Sequence, residues 1–302
     1  MTCRSFYIGK YEIRGGILAP MAGYTDIAFR ELCKECGAGL TVTEMVSVRG
    51  LDHGNKATRE LMRLSPFETP SCVQVFGSNP DDFSRAAEVI ESDIIDVNMG
   101  CPMPKIVKNG DGAALLNDPK RAGDIVRALV NATDKPITVK TRLGYNTGNN
   151  QAAELIESVE QAGAAAVAVH GRYAEQRYAG NADYSEIEKI ARTSSIPIIV
   201  NGDLTDCEAK PPFAAVMIGR AALNNPAVFS GKESNPFEIA RRHLELLTKY
   251  FDERYTVIQA RKFFVHYFKG MRGGKALRDE VNRAVCVKEV LTALDRAERT
   301  VI

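Results

Sequence analysis

Short apolar runs rich in β-branched residues recur through the first 220 residues of the chain: GILAPMAG from Gly16, LTVTEM from Leu40, SCVQVFG from Ser71, IIDVNMG from Ile94, ITVKTRLG from Ile137, AAVAVHG from Ala165, IPIIVNGD from Ile196 and AAVMIGR from Ala214. Most are separated by segments whose apolar residues fall at helical spacing, such as DDFSRAAEVIES, KRAGDIVRALVNAT and QAAELIESVEQAG. A continuous apolar run of strand length is buried on both faces, and strands that alternate with helices pair in parallel. Eight βα units in so short a stretch predict an α/β protein built on a (β/α)8 TIM barrel. A doubly wound sheet would need fewer strands and a phosphate fingerprint after the first, which is absent. Past NNPAVFSGKESNPFE only helical spacing remains, in EIARRHLELLTKYF, VIQARKFFVHYFKGM and RDEVNRAVCVKEVLTAL. The break predicts a barrel domain over 1–232 and a small all-helical domain over 233–302.

The polar residues of the eight runs sit at their C-terminal ends: Met21, Glu44, Gln74, Asn98, Lys140, His170, Asn201 and Arg220. In a barrel those ends form the active-site face. The Asn201–Gly202–Asp203 turn and the Gly219–Arg220 turn close the last two strands, where barrels commonly bind a phosphate on free N–H groups and a helix N-terminus. Arg220 would add a charged fork; tight turns alone explain the glycines equally well. Gln74 offers an amide to the edge of a heterocycle and Lys140 an ammonium to a negative oxygen. A single strand-end lysine is more often solvated, but ITV and TRLG hold this stem in the barrel mouth. His170 is assigned to ligand contact before general base.

Cys101 stands apart, between Gly100 and Pro102, where the fourth strand becomes a polar loop. Nucleophile, metal ligand, proton donor and inert residue are all open to it. A thiol of ordinary acidity, about 8.5, is protonated near neutrality and can act as an acid without tuning. No histidine or second cysteine lies near enough in sequence to make a thiolate or a metal site. The CxxC at Cys33 and Cys36 lacks a second pair, and a half-buried helix face explains it better than zinc.

Composition narrows the class. With 45% hydrophobic residues the 302-residue chain can bury a large core. It has no apolar run long enough for a membrane span, and the N-terminal stretch lacks a signal-peptide pattern, so a cytoplasmic protein is expected. Seven irregularly spaced cysteines argue against a disulfide framework. The net charge of +1 hides an asymmetry: residues 237–302 carry 14 Lys+Arg against 9 Asp+Glu, which leaves −4 on residues 1–236. Such a tail suits either a solvated surface or a polyanion.

APMAGYTDIAFRELC, VTEMVSVRGL, VQVFGS, DVNMGCPMPKIVKNGDGAALL, VKTRLG, VHGRYAEQRYAG, VNGD and MIGRAALNNP, in this order and spacing, closely resemble the tRNA-dihydrouridine synthases of the bacterial B-like type, and NMGCP sets that family apart from other flavin barrels. The resemblance covers nearly the whole chain. It implies FMN at the barrel mouth, with Pro20, Met21 and Ala22 along one side, Gln74, Lys140 and His170 near the ring system, and Asn201, Gly202, Asp203, Gly219 and Arg220 at the ribityl-phosphate end. It implies NADPH (or NADH) as reductant, hydride transfer from the flavin to C6 of a tRNA uracil, and protonation of C5 by Cys101. Asn98 would orient the base, while Arg172 and the segment AEQRYAG would line the nucleotide entrance. A uracil in folded tRNA must be everted to react, so Lys262, Lys269, Arg272, Lys275 and Arg278 around FFVHYF acquire a use on its phosphates. The reading calls for a monomer, with no metal and no membrane.

The chain departs from the family pattern twice. Only LTDCEAKPPFAAV separates NGD from MIGRAA, so the seventh helix is expected to shrink to a turn, and Tyr184 stands where relatives often carry tryptophan. The competing enzyme is an FMN barrel acting on a free small molecule, in the manner of dihydroorotate or dihydropyrimidine dehydrogenases. A tRNA-binding protein without catalysis is the alternative from another class. The basic tail and Cys101 argue against the first, and the joint presence of Asn98, Cys101, Lys140 and His170 against the second.

Overall fold

The computed structural model describes residues 5–52 and 54–301. It begins with an antiparallel hairpin, β1 (Ser5–Ile8) and β2 (Tyr11–Arg14), which the apolar runs did not announce. Then come β3 (Ile17–Leu18), β4 (Leu40–Val42), β5 (Val46–Ser47), β6 (Ser71–Phe76), β7 (Ile94–Met99), β8 (Ile137–Arg142), β9 (Ala166–His170), β10 (Ile198–Asn201) and β11 (Ala215–Ile218). Each of the eight apolar runs supplies one barrel strand. All pair in parallel in the order β3, β4, β6, β7, β8, β9, β10, β11, and β11 closes back on β3. The two-residue β5 lies on β6 beside the closure.

The two-residue period of a strand sorts the side chains. Ile17, Leu40, Val42, Cys72, Ile94, Ala166, Ala168, Ile199, Ala215 and Met217 form the barrel interior, and Phe6, Ile8 and Ile13 of the hairpin join the same cluster, so the hairpin stoppers the end away from the mouth. The intervening residues, among them Val73, Val75, Ile95, Val97, Val139, Val167 and Val169, face the surrounding helices in a second, larger core.

The barrel region carries α1 (Ile27–Glu35), α2 (Val48–Asp52), α3 (Lys56–Glu60), α4 (Pro80–Val89), α5 (Pro104–Val107), α6 (Pro119–Ala132), α7 (Ala152–Gln161), α8 (Tyr184–Thr193) and α9 (Arg220–Asn224). Asp26, Asn79, Asp118 and Asp183 start α1, α4, α6 and α8, each accepting a backbone N–H of the first turn, and proline fills the first helical position of α4 and α6. No helix lies between β10 and β11; residues 202–214 form bends, irregular chain and a turn at Pro211–Pro212 instead. Leu204, Cys207, Ala209 and Phe213 from this segment pack on the outer core in the helix's place.

The remaining helices are α10 (Pro236–Tyr250), α11 (Glu253–Tyr267), α12 (Gly274–Arg283) and α13 (Val287–Val301). They dock on α1 through aromatic rings: Phe263 lies 4.9 Å from Phe29, 4.4 Å from His243 and 5.7 Å from Tyr24, centroid to centroid. The buried Tyr267 hydroxyl pairs with His243 Nδ1 at 2.8 Å. Glu31, buried on α1, accepts hydrogen bonds from Lys249 (2.9 Å), Tyr250 and Ser65, and so ties α10 to the barrel. Beneath it Arg30 and Glu68, both almost fully buried, pair at 2.7 Å, with further bonds from Arg30 to the Thr25 and Arg63 carbonyls. A buried pair of this kind holds only because its remaining donors and acceptors are met.

Candidate active site

The period that fills the barrel floor with apolar side chains also builds its mouth. Gln74 follows Cys72 by two residues, Asp96 and Asn98 follow Ile94, Arg142 follows Lys140, and His170 follows Ala168. Register aligns them across the sheet: Gln74 with Asp96, Asn98 with Lys140, Arg142 with His170, and His170 with Asn201. The structure therefore brings Gln74, Asn98, Lys140, His170 and Asn201 to one end of the barrel, joined by Asp96 and Arg142, which the sequence reading did not single out. The signal for Arg142 was present in the two-residue step from Lys140.

Hydrogen bonds divide these residues by role. Gln74 is buried and fully engaged: its Nε2 donates to Asp96 Oδ2 at 2.7 Å, and its Oε1 accepts from Asn98 Nδ2 at 3.0 Å. Asp96 also accepts from Thr138 Oγ1 at 2.6 Å, and burial raises its pKa against those two bonds. The Asn98 Oδ1 accepts from the backbone N–H of Cys101 (2.9 Å) and of Gly100 (3.2 Å), so this side chain shapes the turn that carries the thiol. Arg142 Nε donates to the Gly100 carbonyl at 2.9 Å, and its Nη1 to the carbonyls of Tyr173 and Arg177. The Cys101 carbonyl accepts from Ala113, and Gly112, at φ +60°, approaches so closely that a Cβ would sit 2.8 Å from that carbonyl oxygen. The half-buried Cys101 thus rises from a base pinned on three sides.

Lys140 is the exception. Its ammonium, half-buried in the mouth, makes no hydrogen bond or ion pair among the described residues; burial and then the neighbouring Arg142 bring its pKa down to about 8. His170 lies beside it. Burial and the charges of Lys140, Arg142, Arg172 and Arg220 push the His170 pKa down to about 2. Arg172 Nη1 sits 3.3 Å from His170 Nε2. A guanidinium can only donate, so Nε2 accepts and the neutral ring keeps its proton on Nδ1.

At the far side, Arg172 is buried and forms a two-point bridge to Asp203, at 2.5 and 3.0 Å, with further bonds to the carbonyls of Ala179 and Gly180. Its side chain pins the AEQRYAG segment to the NGD turn. Asp203 adopts φ +51°, accepts also from Arg220 at 2.6 Å, and the Arg172 bond leads in holding its pKa below the ordinary carboxylate range. The Tyr184 hydroxyl donates to the Gly202 carbonyl at 2.5 Å, so the residue at the departing position steadies the same turn. Asn201 Nδ2 donates to the Met217 carbonyl at 2.7 Å and locks β10 to β11. Pro20, Met21 and Ala22 follow β3, with the Met21 sulfur against Gly219. The helix after Gly219 does begin at Arg220, but it is only five residues long, so the guanidinium and the open turn weigh more here than a helix dipole.

Four cationic side chains converge on this mouth, and the two carboxylates among them, Asp96 and Asp203, are already bonded within the protein. The uncompensated charge, the unpaired ammonium and a neutral imidazole donor fit a flat heterocycle with an anionic arm, as FMN is. Among the described residues no three His, Cys, Asp or Glu side chains gather as metal ligands, and no helix is long and apolar enough to cross a membrane.

Comparison with known proteins gives one consistent result. The family model described as "Dihydrouridine synthase (Dus)" matches residues 17–301. The chain is 36% identical to a "Probable tRNA-dihydrouridine synthase" of Mycobacterium tuberculosis, covering 97% of this chain and 85% of the relative. It is 38% identical to "tRNA-dihydrouridine synthase B" of Shewanella oneidensis, over 81% of this chain and 83% of the relative, and 33% identical to the Pasteurella multocida protein of the same name, over 95% and 94%. Among solved structures, a 2-naphthoyl-CoA reductase complex superposes with a TM-score of 0.58 at 10% identity, covering 76% of this chain and 51% of that one. TcOYE with pHBA gives 0.57 at 11%, covering 82% and 98%. At such identities the superpositions bear on the fold alone, and they agree with the barrel.

Proposed function

The chain belongs to the dihydrouridine synthase family and is an enzyme of the tRNA-dihydrouridine synthase type; from that premise we propose that it reduces the C5=C6 bond of a tRNA uridine, with FMN as the resident flavin and NADPH (or NADH) as the reductant. The observation that carries the proposal is the composition of the mouth. A thiol on a braced loop, an unpaired ammonium and a neutral imidazole stand at one barrel end, with charge left over for an anion.

When bound, FMN supplies the hydride that C6 receives. The other residues act around that event. Lys140 and the His170 Nδ1–H would hold the ring system, with Pro20, Met21 and Ala22 beside it. Asn201, Gly202, Asp203, Gly219 and Arg220 form the ribityl-phosphate end, with Arg172 keeping Asp203 in place. Cys101 delivers its S–H proton to C5 as negative charge develops on the base, so one hydride and one proton add across the double bond and solvent reprotonates the sulfur. Asn98 serves this step by fixing the direction from which the thiol approaches.

We assign catalysis to residues 1–232 and tRNA binding to 233–302. The structure sorts the five cations of the tail. Lys262 donates to the Gly23 carbonyl and covers the Tyr24 ring at 3.8 Å, and Arg278 donates to the Phe268 carbonyl. Arg272 and Lys275 are exposed with no partner among the described residues, and they suit the phosphates around an everted base. The test is to incubate the protein with NADPH and tRNA lacking dihydrouridine, then look by mass spectrometry for a uridine heavier by two hydrogens. Cys101→Ala should keep its bound flavin and lose most turnover. Reduction of tRNA by that variant at the parent rate would refute the acid assignment.

A further inference from the structure

A cavity of about 450 Å³ opens between the barrel's last two strand ends and the helical region. Its barrel wall is Gly202, Asp203, Met217, Gly219, Arg220 and Asn224, and its opposite wall is His266 and Lys269. This volume lies within the range of small-molecule sites, about 300–1,000 Å³. Charge in it is unbalanced. The one carboxylate, Asp203, is shared by two guanidiniums. Lys269 is exposed and has neither ion pair nor side-chain hydrogen bond among the described residues. His266 is held by Asn224 Oδ1 at 3.3 Å and by an edge contact with Tyr24 at 5.8 Å, and burial followed by the charges of Lys269 and Lys262 lowers its pKa. Among the described residues no carboxylate pairs with Lys269.

Residues 202–214 form no helix, and Gly202, Asp203, Leu204 and Thr205 of that segment line the cavity directly. Resting on the reading of the mouth as a flavin site, we infer that Lys269, with His266 as the wall that orients it, is a ligand of the flavin's phosphate. The helical region therefore completes the cofactor site rather than serving only the tRNA. The phosphomonoester would be held between Arg220 of the barrel and Lys269, two residues past the end of α11.

The experiment compares FMN with riboflavin, which lacks the phosphate, on the full-length chain freed of bound flavin. Dissociation constants are read from flavin fluorescence for the parent, Lys269→Met and a Lys269→Met/His266→Phe variant. Lys269→Met is expected to weaken FMN about tenfold, as befits one lost charge-assisted bond, and to leave riboflavin unchanged. An unchanged FMN-to-riboflavin ratio in both variants, with FMN still bound tightly, overturns the inference and spares the flavin reading. A fall in tRNA affinity without a change in that ratio assigns Lys269 to the nucleic acid and likewise overturns it. A parent protein that binds neither flavin sinks the reading of the mouth together with the inference built on it.

Discussion

The Arg172–Asp203 bridge allows a test whose sign depends on burial. Arg172 has 3% of its side chain exposed and Asp203 32%. Removing the carboxylate by Asp203→Ala strands a guanidinium that has almost no water to turn to, and the cost of breaking such a buried pair is about 3–5 kcal/mol. The partial exposure of Asp203 places the expected loss near the lower end, about 3 kcal/mol. Removing the cation by Arg172→Met leaves a carboxylate that reaches solvent and keeps Arg220 as a partner at 2.6 Å. The carbonyls of Ala179 and Gly180 are then rehydrated, and a loss of about 1 kcal/mol is expected. With about 2.1 cal/mol/K of unfolding entropy per residue, the larger loss lowers Tm by about 5 °C and the smaller by about 2 °C. Thermal unfolding of both variants, with urea midpoints as a second measure, decides the matter. Equal losses, or a greater loss for Arg172→Met, would refute the claim that burial of the cation sets the energetics of this turn. Acid is a further check. The Asp203 pKa is held below its ordinary value, so the bridge contributes fully above about pH 4 and is lost as pH falls through the folded value.

Three further outcomes follow from the same geometry. Lys140, with a pKa of about 8, gives up its charge as pH rises through that value, so FMN affinity should fall from about pH 8 upward, and Lys140→Met should flatten the profile; a slope that survives the substitution removes Lys140 from the site. His243 is buried neutral, with a pKa of about 3 against about 6.5 in the unfolded chain, so stability should drop as pH falls below about 6.5, by up to about 1.4 kcal/mol per pH unit, with His170 adding a similar share. His243→Phe should make that slope shallower by up to about 1.4 kcal/mol per pH unit in urea titrations at about pH 7, 6 and 5, and an unaltered slope would show that His243 is not the source. Phe263→Ala opens a cavity among Phe29, His243 and Tyr24 and should cost about 3–5 kcal/mol in thermal unfolding, with α10–α13 becoming protease-sensitive first; a loss under about 1 kcal/mol would mean that the rings are not what docks those helices.

What the residues disclosed in advance, and what they withheld, has a physical division. Each barrel strand was legible because burial on both faces leaves a continuous apolar run, and each mouth residue because it ends such a run. The hairpin at Ser5–Arg14 was not legible in this way: its strands have only one buried face, and Phe6, Ile8 and Ile13 alternate with polar residues in a stretch too short to stand out. The shrinkage of the seventh helix was legible from Pro211, Pro212 and a missing length of chain, and the helix-free segment 202–214 agrees with it. Sequence could place Asn98, Gln74 and Arg172 at the mouth, yet it carried no information on which of their atoms remain available. Asn98 spends its amide on the Cys101 turn and on Gln74, Gln74 spends its own on Asp96, and Arg172 is consumed by Asp203 and two carbonyls, while Lys140 spends nothing. Strand parity specifies which side chains face inward, but whether an inward polar group is a ligand or a brace depends on partners that lie, in these cases, 24, 22 and 31 residues away. The tail shows the same limit: five cations close in sequence are divided by helix geometry into two that face protein carbonyls, two that face solvent and one, Lys269, that faces the cavity. Charge counting over residues 237–302 sees one basic appendage, whereas the three-dimensional arrangement separates the exposed cations Arg272 and Lys275 from Lys269, which lines the cavity beside the barrel.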